Sequence, residues 1–440
     1  MRTLLSSMKE LFGAENVLCS GTDLLAAAFN PASLRNGFEN SLPLAVLRPA
    51  HLSQIPKLIG FCKENGLSVR PRAGNTGWYS RPVSGKTIIL DMGSLNRILE
   101  FNPIAGIIRA QAGASCASLQ SYAAARGFLL PGLLPGAASV GGWLACNEWG
   151  AESAFYGPPS NRVISLRVWD GTGRECVCQS QNSAAAHLDG FFPLANLFCG
   201  SRGELGIVGE ATLSLLPMPE ICARIAALFD SPSDLAAMQL ELMEKKIRPN
   251  AAFICNPNCL RELGKPEKWL LALEFQTAAC VMKSLVEQAE LCAHTHKGLI
   301  ISGESLDYAD WLASLPVILS ARVKKWRAES VGCLPERMGA LLENIDALSR
   351  QYQLPCLVFG PAFSGRLQIL ADGDNENGQA FFHDLFVLDL VLNGCLESDS
   401  DFPSDREQWR ETRAQASADK NLREIFDPDH VLNQSARAHF

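Results

Sequence analysis

Three things are missing from this chain of 440 residues: a block of basic residues, an apolar run long enough to cross a bilayer, and cysteines at metal-binding spacing. Each absence removes a class of function. Lys and Arg number 39 against 46 Asp and Glu, a net charge of -7, and the densest basic run is only Arg322, Lys324, Lys325 and Arg327. Nucleic-acid binders carry a basic footprint, so no nucleic-acid partner is expected. A spanning helix takes about 20 apolar residues in succession, and no such stretch occurs. The opening MRTLLSSMKELFGAENVL places Lys9, Glu10 and Glu15 where a secretory signal needs an unbroken apolar segment. The expectation is a cytoplasmic protein with no integral membrane segment. The 15 cysteines are scattered singly. Cys176 with Cys178, Cys255 with Cys259, and Cys292 near His294 and His296 come nearest to clusters, yet none repeats the spacing of a zinc or iron–sulfur site. Buried thiols in a reducing compartment, and no metal, are expected.

What is present is an ordinary globular composition, 47% apolar and 19% charged, over a length that predicts two or three domains. Leu4, Leu5, Met8, Leu11 and Phe12 recur at helical spacing and predict a helical arm over residues 1–40. From Leu44 a strand (AVLRP), an amphipathic helix ending at a Gly, and a second strand (LSVRPR) follow in turn. TIILDM and IAGIIRAQAG read as strands, Ala117–Arg126 as a helix, and VISLRVWDGTGRECVC as a hairpin with an Asp-Gly turn. Beyond Glu220 apolar strands and helices alternate without Gly clusters, which predicts an α+β region over residues 220–398. The last segment, DKNLREIFDPDHVLN, is a helix stopped by Asp-Pro, within a terminal stretch 399–440.

Two Gly-rich, nearly uncharged stretches stand out: PRAGNTG at 71–77 and PGAASVGG at 135–142. Such turns are ordinary punctuation in any chain, or they bring bare backbone N–H groups against an anion such as a cofactor phosphate. No G-x-G-x-x-G fingerprint follows a strand, which argues against a Rossmann nucleotide site.

Taken in order, RPRAGNTG at 70–77, IILDM at 88–92, PGAASVGGWLACNEWG at 135–150 with YG at 156–157, and LFCGSRGELGIVGE at 197–210 resemble the FAD-binding domain of the vanillyl-alcohol-oxidase superfamily (the PCMH type). Within it the chain is most similar to the glycolate oxidase and D-lactate dehydrogenase family of flavoproteins. The likeness covers residues 41–219 well and the rest loosely. It implies an α+β protein: a two-lobed FAD-binding domain over 41–219, then an α+β substrate (cap) domain, with 399–440 returning to the FAD domain.

The resemblance also implies a cofactor site. Arg72, Ala73, Gly74, Asn75, Thr76 and Gly77 fall in the pyrophosphate loop. Pro135, Gly136, Ala138, Ser139, Gly141 and Gly142 fall in the loop along the phosphates and ribityl chain, and Gly206, Ile207 and Val208 on the adenine side. Asn147, Gly150, Tyr156 and Gly157 complete the implied set. Some superfamily members tether the flavin through a loop His; no His lies between His51 and His187, so non-covalent FAD is expected.

The chain departs from the family where the chemistry sits. The family segment GHxGDGNxH, whose histidines help hold a divalent metal, corresponds to FGPAFSGRLQ: Pro361 and Gln368 replace both histidines, and Ser364 the Asp. The family's EHG corresponds to GCLESDSD, with Asp399 at the Glu and Ser400 at the His. Pro has no ligand or base, and Gln is no base. Two readings follow. In one, an FAD-dependent dehydrogenase oxidises a small 2-hydroxy acid or alcohol by hydride transfer, with Asp399 or Glu397 as base, Arg327 clamping the substrate carboxylate, and an electron acceptor such as an iron–sulfur protein. In the other, a catalytically degenerate FAD-binding subunit serves electron transfer or assembly in a glycolate-oxidase-like complex.

Overall fold

Helix Gln54–Asn65 shows how the first strand–helix–strand unit is built. Ile55, Leu58, Ile59 and Cys62, one face at helical spacing, are all buried. Gly66 takes the left-handed conformation (φ 62°) that ends the helix, and Leu67 N–H returns to the Cys62 carbonyl at 2.9 Å. The computed structural model to which these elements belong describes residues 2–28, 42–76, 83–132, 138–147, 149–183, 192–301, 326–373, 375–392 and 414–432.

The chain divides into two compact units. The first comprises Met1–Glu148, Pro159–Leu216 and Asp401–Phe440; the second comprises Trp149–Pro158 and Pro217–Ser400.

The first unit holds two sheets. In the smaller, β1 (Val17–Leu18), β2 (Ala45–Leu47), β3 (Ser68–Arg72) and β4 (Thr87–Asp91) lie in the order β1-β2-β4-β3. β2, β4 and β3 are parallel. Their near-continuous apolar stretches, Ala45–Leu47 and Ile88–Leu90, are buried throughout, as strands covered on both faces require. β1 interrupts the arm expected to be wholly helical: Arg2–Phe12 and Gly21–Ala28 are helices, but Val17 and Leu18 between them pair with Leu47 and Val46. The helix expected over Ala117–Arg126 runs Cys116–Ala124, because Ser115 caps it by accepting the Ser118 N–H.

The larger sheet of this unit is antiparallel, in the order β5-β6-β10-β8-β9, from β5 (Ile98–Asn102), β6 (Ile107–Gln111), β8 (Val163–Trp169), β9 (Glu175–Gln179) and β10 (Ile207–Ser214). β7 (Phe128–Leu129) and β11 (Leu216–Pro217) are short. β8 and β9 form the hairpin expected from Asp-Gly, and buried Asp170 accepts the Thr172 and Arg174 N–H groups at its turn. One charged residue from each strand joins a ladder across the sheet. Arg109 meets Glu100 (3.4 Å) and Glu210 (3.5 Å); Arg167 meets Glu210 (3.4 Å) and Glu175 (2.8 Å).

The second unit is one antiparallel sheet with helices on a face. Its strands are β12 (Ile221–Phe229), β13 (Ala251–Cys255), β14 (Trp269–Thr277), β15 (Leu299–Ile301), β16 (Trp326–Gly332), β17 (Leu357–Pro361) and β18 (Arg366–Asp372), in the order β15-β12-β14-β13-β17-β18-β16. Alternation decides which side chains meet the helices. Ile225, Ala227, Ala252, Ile254, Leu271, Leu273, Val358, Leu367, Ile369 and Val331 form one core with Leu235 and Met238 of helix Pro232–Glu244, Leu341 and Ile345 of Met338–Gln351, and Phe381 and Phe382 of Glu376–Val391. The residues between them, including Arg224, Phe253, Glu274, Gln276, Phe359, Arg366 and Gln368, take the opposite face. Among the described residues no helix is long and apolar enough to cross a membrane.

Candidate active site

Three Gly-rich segments converge in the first unit, and the turn Gly200–Gly206 joins them. Gly200 (φ 81°), Arg202 (φ 55°) and Gly203 (φ 76°) are all left-handed there. Gly200 N–H donates to the Leu144 carbonyl at 3.0 Å and Arg202 N–H to that of Ala145 at 2.9 Å, so the turn hangs on the last residues of helix Val140–Cys146. On its other side, a β-carbon at Gly203 would sit 2.9 Å from Cγ of Pro71 in β3. The end of β3, the helix after PGAAS and the closing GSRGELG turn thus share one place.

From β3 the chain enters Ala73–Thr76 at the carboxyl edge of parallel strands, where open α/β sheets bind ligands. Asn75 is left-handed (φ 53°), one of the two backbone conformations from which anion nests are built. Neither Ala73–Thr76 nor Ala138–Gly142 contains a carboxylate to repel a pyrophosphate. The residues present therefore fit the pyrophosphate of FAD.

The second Gly-rich segment does a different job from the one its composition suggests. Val140 N–H donates to Ala114 O (2.9 Å), Gly141 N–H to Ala112 O (2.8 Å), and Gly142 N–H to the Ser139 hydroxyl (3.2 Å). Those donors are spent within the protein. What Gly141 provides is closeness: a β-carbon there would lie 2.8 Å from that of Ala112. Ala112 N–H in turn donates to Gly209 O of β10 at 2.9 Å, so the segment is locked to the large sheet. Gly206 is similar, since its β-carbon would meet Val168 at 2.5 Å and Phe198 at 2.9 Å, while Ile207 and Val208 pair with Trp169 and Val168 of β8. Asn147 ends the helix left-handed (φ 50°), and its side-chain oxygen accepts the Ser160 N–H at 2.9 Å.

Arg72 serves the arm. Its guanidinium donates to the carbonyls of Ala27 (2.7 Å) and Ala26 (3.3 Å), at the negative end of helix Gly21–Ala28, and lies 3.7 Å from Asp91, which also meets Arg48 at 3.4 Å.

The second unit holds the remaining candidates. Gly150 N–H donates to the Ser153 hydroxyl at 2.8 Å, and Gly157 is left-handed (φ 79°). Tyr156 enters a polar network on the sheet face opposite the helices: its hydroxyl lies 3.0 Å from both Gln276 Oε1 and Asn250 Nδ2, and Glu274 joins Gln276 (2.6 Å) to Arg224 (2.7 Å). Arg327 points the other way. In β16 it shares the helix-covered face with Val331, pairs with fully buried Glu329 (Nη2 to Oε1, 2.7 Å), and stacks 4.7 Å from the Phe382 ring. Its charge neutralises an internal carboxylate that would otherwise be stranded.

Pro361, Ser364 and Gln368 occupy the β17–β18 hairpin. Among the described residues no group of three His, Cys, Asp or Glu side chains is placed to hold a metal ion. Cys292 is buried, and His296 hydrogen-bonds Glu241 at 2.7 Å. Gly77, Pro135, Gly136, Glu397 and Asp399 lie outside the described residues.

The terminal segment, expected to return to the FAD-binding domain, clamps the first unit through residues that sequence reasoning did not single out. Phe426 stacks edge-on against Phe198 (5.3 Å), its carbonyl accepts the Gly171 N–H (2.7 Å), Arg423 pairs with Glu204 of the Gly-rich turn, and Val431 O accepts the Val69 N–H of β3 (2.7 Å). Buried Asp427 organises the turn by accepting the N–H groups of Val431 (2.8 Å) and Leu432 (2.9 Å). Burial pushes its carboxyl above the ordinary range, opposed by those two hydrogen bonds. The signal was the Asp of DPDHVL, four and five residues before the groups it binds.

Comparison with known proteins finds a flavin-binding domain within this fold. Residues 43–179 match the FAD binding domain family, and that segment is an FAD binding domain. Mitochondrial D-2-hydroxyglutarate dehydrogenase of Bos taurus is 32% identical over 180 residues, 40% of this chain but only 32% of the bovine protein. Glycolate oxidase subunit GlcD of Bacillus subtilis is 24% identical over 89% of this chain and 88% of its own length. In fold, the chain superposes on p-cresol methylhydroxylase with a TM-score of 0.79 at 13% identity, covering 100% of this chain and 98% of that one.

Proposed function

We propose that the chain is an FAD-dependent oxidoreductase that oxidises a small 2-hydroxy acid or alcohol, with FAD held non-covalently. The observation that carries this reading is the convergence of β3 and its Ala73–Thr76 loop, helix Val140–Cys146 and the Gly200–Gly206 turn within an FAD binding domain. Relatives named for 2-hydroxy-acid oxidation, among them one spanning most of the chain, support the substrate class. They also disfavour the reading as a degenerate electron-transfer or assembly subunit.

Bound FAD supplies a hydride acceptor. The chain's residues supply position and charge. The Ala73–Thr76 backbone seats the pyrophosphate; Gly141 and Gly206 let the segments around the cofactor pack closely; Arg72 ties the N-terminal arm beside the loop. In this proposal Asp399 or Glu397 takes the hydroxyl proton, and Arg327 holds β16 through Glu329. A separate protein, such as an iron–sulfur protein, takes the electrons, and the site of action is the cytoplasm.

The test is an anaerobic absorption spectrum before and after a panel of 2-hydroxy acids. Bleaching of the flavin band by one of them is the expected result; bound flavin that no hydroxy acid or alcohol reduces, yet dithionite does, refutes the reading. Gly74→Leu should abolish flavin retention, and unchanged flavin content would remove the pyrophosphate from this loop.

A further inference from the structure

β9 ends the order of the five-stranded sheet in the first unit, and alternation sorts its side chains. Glu175 and Val177 stand exposed on one face, Val177 at 67%. Cys176 and Cys178 share the other face, where Cys178 is buried and Cys176 half-buried against the same core. Their register partners on β8, Val168 and Leu166, are both buried. Two thiols thus stand side by side in an apolar wall, with one rim open to solvent.

Geometry decides what such a pair can do. Residues two apart on a strand lie about 6.7 Å apart, and on one face their β-carbons are separated by about as much. A disulfide needs β-carbons about 3.8 Å apart, so β9 would have to give up its pairing with β8 to close one. A bridging ion asks for less. Staggered rotamers that lean the two sulfurs toward each other bring them to roughly 4–5 Å, and two metal–sulfur bonds of about 2.3 Å in line span about 4.6 Å.

The missing ligands narrow the ion. Structural zinc and iron–sulfur centres take four protein ligands, and among the described residues no group of three His, Cys, Asp or Glu is placed to hold a metal. Two thiolates in apolar surroundings suit a soft cation content with two ligands, the chemistry of copper(I). Burial first, and Cys176 beside it, push the Cys178 thiol up to about 11, so the empty pair strands no charge in the core. Arg174, paired with Asp170 at 2.9 Å and in contact with Cys176, brings positive charge to the rim where a negative bis-thiolate complex forms. Cys255 and Cys259 form the other close pair, but both are fully buried and offer an ion no way in.

We propose that Cys176 and Cys178 form a two-coordinate site for a soft monovalent cation of the copper(I) class. Binding forms two metal–sulfur bonds, breaks two S–H bonds and releases two protons to solvent, with no change of oxidation state.

The experiment titrates the flavin-loaded protein anaerobically with Cu(I) held by the chelator bicinchoninate, and counts released protons by calorimetry in two buffers. Wild type should draw one Cu(I) from the chelator and release two protons. Cys176→Ser should weaken that binding by more than about 100-fold, since losing even a partner outside the ligand set costs about 10- to 100-fold. Cys178→Ser should do the same; should this buried variant fail to fold, the half-buried Cys176 position decides alone. Cys255→Ser should bind like wild type. The proposal is overturned by a wild type that leaves all Cu(I) on the chelator, by unchanged affinity in Cys176→Ser, by one proton released in place of two, or by affinity lost in Cys255→Ser instead. A protein purified under reducing conditions with this pair already joined as a disulfide would also overturn it, because β9 could not then be the strand described.

Discussion

The two units offer candidate sites built from different parts of the chain. In the first, the candidate site is backbone: left-handed residues and glycines that let segments touch. In the second the candidates are side chains on a sheet, with Arg366 and the Tyr156 network on one face and Arg327 with Glu329 on the other. The lesson is about sensitivity. A backbone site depends on what cannot be present, a β-carbon, whereas a side-chain site depends on parity along a strand, where one residue reverses every direction.

The largest effect should come from violating the first rule. Gly206→Leu must place its β-carbon against Val168 and Phe198, both buried. Overpacking of this kind costs about 3 kcal/mol or more where nothing can yield. Flavin content and thermal unfolding should both fall sharply; a variant with normal flavin would show that this unit tolerates side chains where the comparison says it cannot.

Next in size is the terminal clamp. Asp427→Ala removes the acceptor of two buried N–H groups and should cost about 2 kcal/mol, read by denaturant unfolding and by faster flavin release. The pH dependence has a defined sign. Because burial raises this carboxyl above 3.8, the folded protein binds its proton more tightly than the unfolded chain, so its contribution to stability is greatest below 3.8 and declines as pH rises through the folded value. The stability of wild type relative to Asp427→Asn should therefore decrease with rising pH in that window, and a difference that grows instead contradicts the assignment.

The contrast between units also explains what could be read from sequence. PRAGNTG, GSRGELGI and the Asp-Gly hairpin were legible because glycine marks backbone conformation directly. The spending of the Val140, Gly141 and Gly142 N–H groups was not, since their acceptors Ala114, Ala112 and Ser139 hydroxyl reveal themselves only when the segments pack. In the second unit, SARVKKWRAES drew attention to Arg327 as a cation, but only the register of β16 against β18 shows that it shares a face with Ile369 and Ala371 in the core. Arg366, in a segment read for the histidines it lacks, attracted no attention.

A smaller effect tests the charge ladder of the first unit. Glu210 stands between Arg109 and Arg167 with its side chain only 10% exposed. Glu210→Gln leaves two guanidinium groups facing each other and should cost about 1 kcal/mol, less at high salt because its partners are partly solvated. A loss independent of ionic strength would mean packing, not charge, is what the residue contributes.

The smallest expected change is a gain, and it lies in the second unit. Gln239 of helix Pro232–Glu244 is fully buried, beside Leu235, Met238 and Leu242 that pack on the sheet, and neither its amide oxygen nor its nitrogen has a hydrogen-bond partner. A buried polar group left unpaired is a cost that an apolar residue of similar size does not carry. Gln239→Met keeps length and flexibility and should raise stability by about 1 kcal/mol, with flavin content unchanged, because this position lies in the core of the second unit. A destabilised Met variant would mean that the amide is satisfied in solution, for instance by a bound water.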